Sequence, residues 1–208
     1  MSLPVPDEVW FDAAALVSLA HAPNGLAALQ QRALGGRARW VDAVEQELTR
    51  QRRPHEHIPG LHAVTADTAW LGEYELLDGE QQAEAYELRD DITIDDDHDD
   101  KSLGEAQTVV VARDRFDRSA ASGVRLVVVA ASDDRDLAVV ARNAGAAGRI
   151  QVWSSAHVLS LLVHLGSLTC DQAYDDYVAM ASQRRGLHRG LTRDQLCSGA
   201  IPNVRPRR

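Results

Sequence analysis

Apolar residues fall along this chain in two alternating rhythms. Short continuous runs, suited to strands covered on both faces, give way to stretches in which apolar positions recur three and four residues apart, as on one side of a helix. The first run, residues 9–11, ends at Asp12, and Leu16, Val17 and Ala20 predict a helix over 13–21. Pro23, Asn24 and Gly25 supply a turn, and a short helix is predicted over 26–34. A longer helix over 37–53 places Trp40, Val41, Val44 and Leu48 on one face and stops before Pro54. Residues 54–60 read as a loop, 61–66 as a strand, and 68–86 as helical for part of their length. The second half is more regular: a helix over 103–114, a β-branched strand over 124–131, a helix built on Leu137, Val140, Ala141 and Ala144, a strand over 150–153 and a helix over 156–165. Strand and helix in alternation predict an α/β domain with a parallel sheet flanked by helices.

Composition narrows the class. The 208 residues are 45% hydrophobic and 25% charged, enough for one globular domain. The longest apolar runs are strand-sized, far short of the roughly 20 residues of a membrane helix, so no bilayer span is expected. No arginine or lysine precedes Arg32. A secretory leader is therefore not expected, and the cytoplasm is the expected location. Cys170 and Cys197, far apart in sequence, are expected to be plain thiols.

A net charge of −9 argues against nonspecific nucleic-acid binding by the whole surface. The charge is unevenly placed. Seven arginines and a single acid, Asp194, follow Gln183, so the expected organisation is a domain over 1–182 and a basic, peripheral tail over 183–208. Opposite in sign, seven aspartates crowd residues 90–100, a run that repels itself and reads as a solvated loop. It is not a calcium loop of the EF-hand kind: counted from Asp95, position six is Asp100 and position twelve is Ala106.

Chemistry is sought where an open parallel sheet binds ligands, beyond the carboxyl ends of its strands. Asp12 follows the first strand, and Asp133 and Asp134 follow the central one. Carboxylates about 5 Å apart repel by about 3 kcal/mol at an effective dielectric near 20, so such a group needs protons or a cation. All-oxygen donors favour Mg²⁺ or Mn²⁺. The competing reading is that each aspartate caps the next helix; Ser132, Ser154 and Ser155 carry the same ambiguity between phosphate contact and cap. His55, His57 and His62 lack an HExxH frame or a nearby cysteine. Dinucleotide, nucleoside-triphosphate and serine-hydrolase signatures are absent.

Four stretches, in order, resemble the PIN-domain family. VWFDAAALVSLA resembles its opening strand with a first aspartate, and KSLGEAQTVVVA its GEAEAxxLA helix; VVVAASDDRD resembles its T-x-D-R-D element, and the segment from Arg149 to Met180 its closing strand, leucine-rich helix and acidic helix. The resemblance implies a PIN-like (Rossmann-like) α/β fold and Mg²⁺- or Mn²⁺-dependent hydrolysis of RNA by a cluster of acids. Many members are VapC-like toxins of bacterial toxin-antitoxin pairs, so an RNA substrate, an antitoxin protein and a homodimer are the expected partners. Carried over, Asp12 matches the first acid, Glu105 the third, and Asp134 the fourth, with Asp133 as an alternative. The second lies on the long helix at Glu45 or Glu47. Helical geometry does not choose between these, and the family's acid-before-leucine pattern favours Glu47. The expected metal ligands are Asp12, Glu105, Asp133 and Asp134. For holding an RNA backbone, the tail arginines are the densest supply, with Arg113, Arg115, Arg118 and Arg135 as the alternative surface. Two rival readings remain at this level: a PIN-like binding or regulatory module without nuclease activity, and a receiver-like phosphoryl-transfer domain, for which Lys101 stands in the wrong place.

Overall fold

The computed structural model describes residues 4–51, 59–91, 102–183 and 190–202. In chain order they form β1 (Glu8–Phe11), α1 (Ala13–Leu19), α2 (Pro23–Gln30), β2 (Ala38–Arg39), α3 (Asp42–Gln51), α4 (Pro59–Ala66), α5 (Gly79–Asp90), α6 (Leu103–Ala121), β3 (Val128–Ala131), α7 (Asp136–Asn143), β4 (Ile150–Trp153), α8 (Ser155–His164), α9 (Cys170–Gln183) and α10 (Arg193–Ser198). Among the described residues the sheet has four parallel strands in the order β2-β1-β3-β4. Every residue of β1 and β3 is buried, as their continuous apolar runs require of strands covered on both faces. The edge strand β4 exposes Gln151 between buried Ile150 and Trp153. From β1 the sheet extends one way to β2 and the other way to β3. That reversal opens a crevice between the carboxyl ends of β1 and β3, where Phe11 pairs with Ala131 and Asp12 N–H donates to the Ala131 carbonyl at 3.0 Å.

Several expectations need correction. The helix expected over 37–53 begins only at Asp42, because Ala38 and Arg39 pair with Val9 and Trp10 as an edge strand. Trp40 and Val41, expected on that helix, are buried in the chain before it, where the Trp40 carbonyl accepts from Glu75 N–H at 3.0 Å. Residues 61–66 belong to α4, not to a strand: Leu61 and Val64, three apart, are its buried pair, and proline opens it. Pro23, Asn24 and Gly25 likewise form the first turn of α2. The strand expected over 124–131 starts at Val128, and Val124 is 54% exposed. Of the segment 68–86, only the part from Gly79 is helical, opened by an Asp78/Gln81 capping box. Residues 92–101, with most of the aspartate run, and His55 and His57 lie outside the described residues.

The tail is also corrected. Over residues 190–202 it buries Leu191, Leu196 and Ile201, and Leu191 N–H donates to the Tyr177 hydroxyl at 3.0 Å. Cys170 and Cys197, expected as thiols, are joined in a disulfide with their Cα atoms 5.6 Å apart. Among the described residues, no helix is long and apolar enough to cross a membrane.

Candidate metal centre

Three elements bring carboxylates to one point. Asp12 sits at the step from β1 to α1. Its Oδ2 accepts from Ala14 N–H at 3.2 Å, capping α1, and from Ser132 Oγ at 2.7 Å. The capping reading and the functional one therefore share this side chain: one oxygen is used by the fold, while Oδ1 is buried with no hydrogen-bond partner. Glu105 lies in the first turn of α6, 8% exposed, with its Oε2 also buried and unpartnered. Glu47 reaches in from α3. Oxygens of Asp12, Glu47 and Glu105 all lie within 4.8 Å of one another.

Gly104 makes the convergence spatially feasible. A Cβ at this position would stand 3.3 Å from Glu47 Oε2, 3.3 Å from Val44 Cγ2 and 3.4 Å from Asp12 Oδ1. A side chain at residue 104 would make both carboxylates give by a few tenths of an ångström, so the glycine lets the first turn of α6 sit close against them. The sequence signal was the glycine directly before Glu105, which the helix pattern alone did not make meaningful.

Electrostatics follows from this packing. Burial lifts the Asp12 pKa from 3.8 to about 6, against the lowering effect of its hydrogen bonds from Ser132 and the backbone, with a further raise from the charge of Asp134. Glu105 is pushed well above the ordinary glutamate value, first by burial and then by the charges of Asp12, Glu47 and Asp134. A site of this kind either takes up protons or holds a cation. The two orphaned buried oxygens and the all-carboxylate donor set could hold a metal ion.

The remaining expected site residues divide. Glu45 is not in the group; it accepts from Thr49 Oγ1 at 3.1 Å on another side of α3. Asp133 is buried but turned to α8, its Oδ1 accepting from Ser155 N–H at 2.9 Å and its Oδ2 from Ser155 Oγ at 2.7 Å. These bonds tie the end of β3 to the start of α8, and Asp133 stands outside the three-carboxylate group. Asp134 is exposed. It stands outside the three-carboxylate group, its N–H donates to Ser132 Oγ at 2.9 Å, and its Oδ1 accepts from Asp136 N–H at 3.1 Å. Ser132 thus links Asp12 to the Asp134 backbone. Ser154 is a helix cap, joined to His157 in a capping box. Sequence reasoning missed Asp176, which binds Asn24 Nδ2 at 2.9 Å and Gly25 N–H at 2.6 Å and so anchors α9 to the start of α2; its partners lie about 150 residues away and leave no local signal.

The alternative phosphate surface is largely neutralised. Arg113 pairs with Glu84 at 2.5 Å, Arg115 with Glu8 at 3.0 Å, and Arg118 with Asp114. Arg135 stays exposed beside Asp134. No family model matches the chain, and neither a curated protein nor a solved structure does.

Proposed function

We propose that this protein is a PIN-like, Mg²⁺- or Mn²⁺-dependent endoribonuclease that acts as the toxin of a bacterial toxin-antitoxin pair. The observation that carries the reading is the convergence of Asp12, Glu47 and Glu105 at the β1/β3 crevice, with Asp12 Oδ1 and Glu105 Oε2 buried and unpartnered. The four PIN-like stretches support it as well, since they coincide with β1, the start of α6, the end of β3 and the β4–α9 segment. A divalent ion held by Asp12, Glu47 and Glu105 would supply a lowered pKa for a coordinated water and offset the charge growing on phosphate oxygens.

The chain's own groups have separable tasks. Asp12 and Glu105 provide buried negative charge that does not compete with bulk water. Ser132 holds Asp12 in one orientation through its 2.7 Å hydrogen bond, and Gly104 sets how closely α6 approaches. In this reading Asp134, exposed at the end of β3, would orient a water or accept its proton, and Arg135 would meet a phosphate. No side-chain nucleophile is required.

The test is cleavage of single-stranded RNA by the purified protein. Cleavage is expected with Mg²⁺ or Mn²⁺, and none in EDTA or in the Asp12→Asn and Glu105→Gln proteins. RNA cut equally by those variants refutes the reading. Growth arrest on induced expression, absent for Asp12→Asn, tests the toxin role separately.

A further inference from the structure

A second cavity, of about 400 Å³, lies on a different side of α3 and is lined by Trp40, Tyr74, Glu45, Glu73, Thr65 and Thr68 among others. Glu45 and Glu47 are two residues apart on one helix, so their side chains leave it about 200° apart. The cavity is therefore separate from the carboxylate cluster. Its volume falls in the range of small-ligand sites.

The walls select by charge. Two carboxylates line the cavity, and no lysine, arginine or histidine does so among the described residues. From the described residues an anion would meet only repulsion there. A purely apolar ligand would leave the two carboxylates without a counter-charge. An organic cation satisfies both, its charge opposite Glu45 and Glu73 and its alkyl part against aromatic rings, whose faces attract cations. The aromatic wall is already shaped: Trp40 and Tyr74 meet edge to face with centroids 6.1 Å apart at 78°, and Trp40 Nε1–H donates to the Gly72 carbonyl at 3.1 Å. Gly72 takes a positive φ of 73°, and no atom lies within 4 Å of where its Cβ would be, so the turn presents its carbonyl to the indole without closing the cavity. Tyr74 is 46% exposed, so its ring is open to a ligand.

We propose that this cavity binds an alkyl-guanidinium or alkyl-ammonium cation, held by Glu45 and Glu73 and covered by the Trp40/Tyr74 pair. The inference is independent of the nuclease reading. It is tested on the full-length protein by following the Trp40 indole N–H resonance during titration with agmatine, with N-acetyl-arginine amide and with its neutral isostere N-acetyl-citrulline amide. A saturable shift with the two cations and none with the citrulline compound is expected, weakening as salt is raised. Tighter binding of agmatine marks a free small cation as the ligand, and tighter binding of the arginine amide marks a side chain presented by a partner. Glu73→Gln and Tyr74→Leu are each expected to weaken binding about threefold, and together about tenfold, whereas Tyr74→Phe retains it. Equal shifts with arginine and citrulline amides, a saturable shift with adenosine in place of the cations, or no saturable shift with any probe overturns the proposal.

Discussion

Replacing Asp12 by asparagine is expected to stabilise this protein at neutral pH and to change little in acid. Asp12 is wholly buried, and its pKa stands at about 6 instead of 3.8. The folded state therefore holds a proton that the unfolded chain releases, and stability falls as pH rises from about 4 to about 6, then levels off. The full loss is about 3 kcal/mol, at about 1.4 kcal/mol per tenfold change in proton affinity. Asparagine keeps an oxygen for Ser132 Oγ and Ala14 N–H, and caps a helix as well as aspartate does. It removes the charge and retains the contacts. Allowing for imperfect seating of the amide, the expected gain is about 2 kcal/mol at pH 7.5, a rise in Tm of roughly 4–8 °C for a chain of this size. At pH 4 the gap shrinks to about 0.5 kcal/mol or less. Urea unfolding in EDTA, followed by tryptophan fluorescence across this pH range, measures both. Adding Mn²⁺ is expected to stabilise the wild type and leave Asp12→Asn unmoved. An asparagine variant less stable at pH 7.5, or a difference that does not vary with pH, refutes the reasoning.

Gly104→Ala gains helix propensity, yet its Cβ crowds Asp12 and Glu47; it is expected to fold and to bind Mn²⁺ about tenfold more weakly by calorimetry. Asp133→Ala strips the start of α8 of its acceptor and is expected to cost about 2 kcal/mol in urea unfolding, with Mn²⁺ affinity unchanged. A chain ending at Gln183 loses the burial of Leu191, Leu196 and Ile201 together with Cys197 and its cross-link, and is expected to be about 7 kcal/mol less stable by thermal unfolding. Cys197→Ser opens a cross-link spanning 27 residues and is expected to cost about 3 kcal/mol, an effect that dithiothreitol reproduces in the wild type.

Legibility in the sequence tracked the length and continuity of each pattern. The runs giving β1 and β3 were readable because strands buried on both faces are apolar over most of their length, and the 150–153 strand matches β4 residue for residue even though Gln151 is exposed. Between Arg37 and Gly79 the reading failed. A two-residue edge strand carries no periodicity of its own, and Trp40 and Val41 happen to continue the helical spacing of Val44 and Leu48. The ends of β1 and β3 could be assigned to one crevice from topology alone, so Asp12 was legible as a site residue. Asp133 and Asp134 were not separable, since what divides them is which side of the strand end each side chain leaves, and that depends on Ser155, a residue 22 positions on. Glu47 was preferred over Glu45 on a resemblance, because the choice depends on where α6 packs across α3. The docked tail and the Cys170–Cys197 bond were invisible: the three apolar anchors Leu191, Leu196 and Ile201 are too sparse to form a periodic face.

The central claim is that Asp12, Glu47 and Glu105 together form a divalent-cation site. Crystals grown with Mn²⁺ and measured near the manganese absorption edge test it most directly. The account predicts an anomalous peak within coordinating distance of oxygens from all three carboxylates, lost in Asp12→Asn. A peak bound only by other acids, or the three carboxylates meeting with no peak between them, would contradict it.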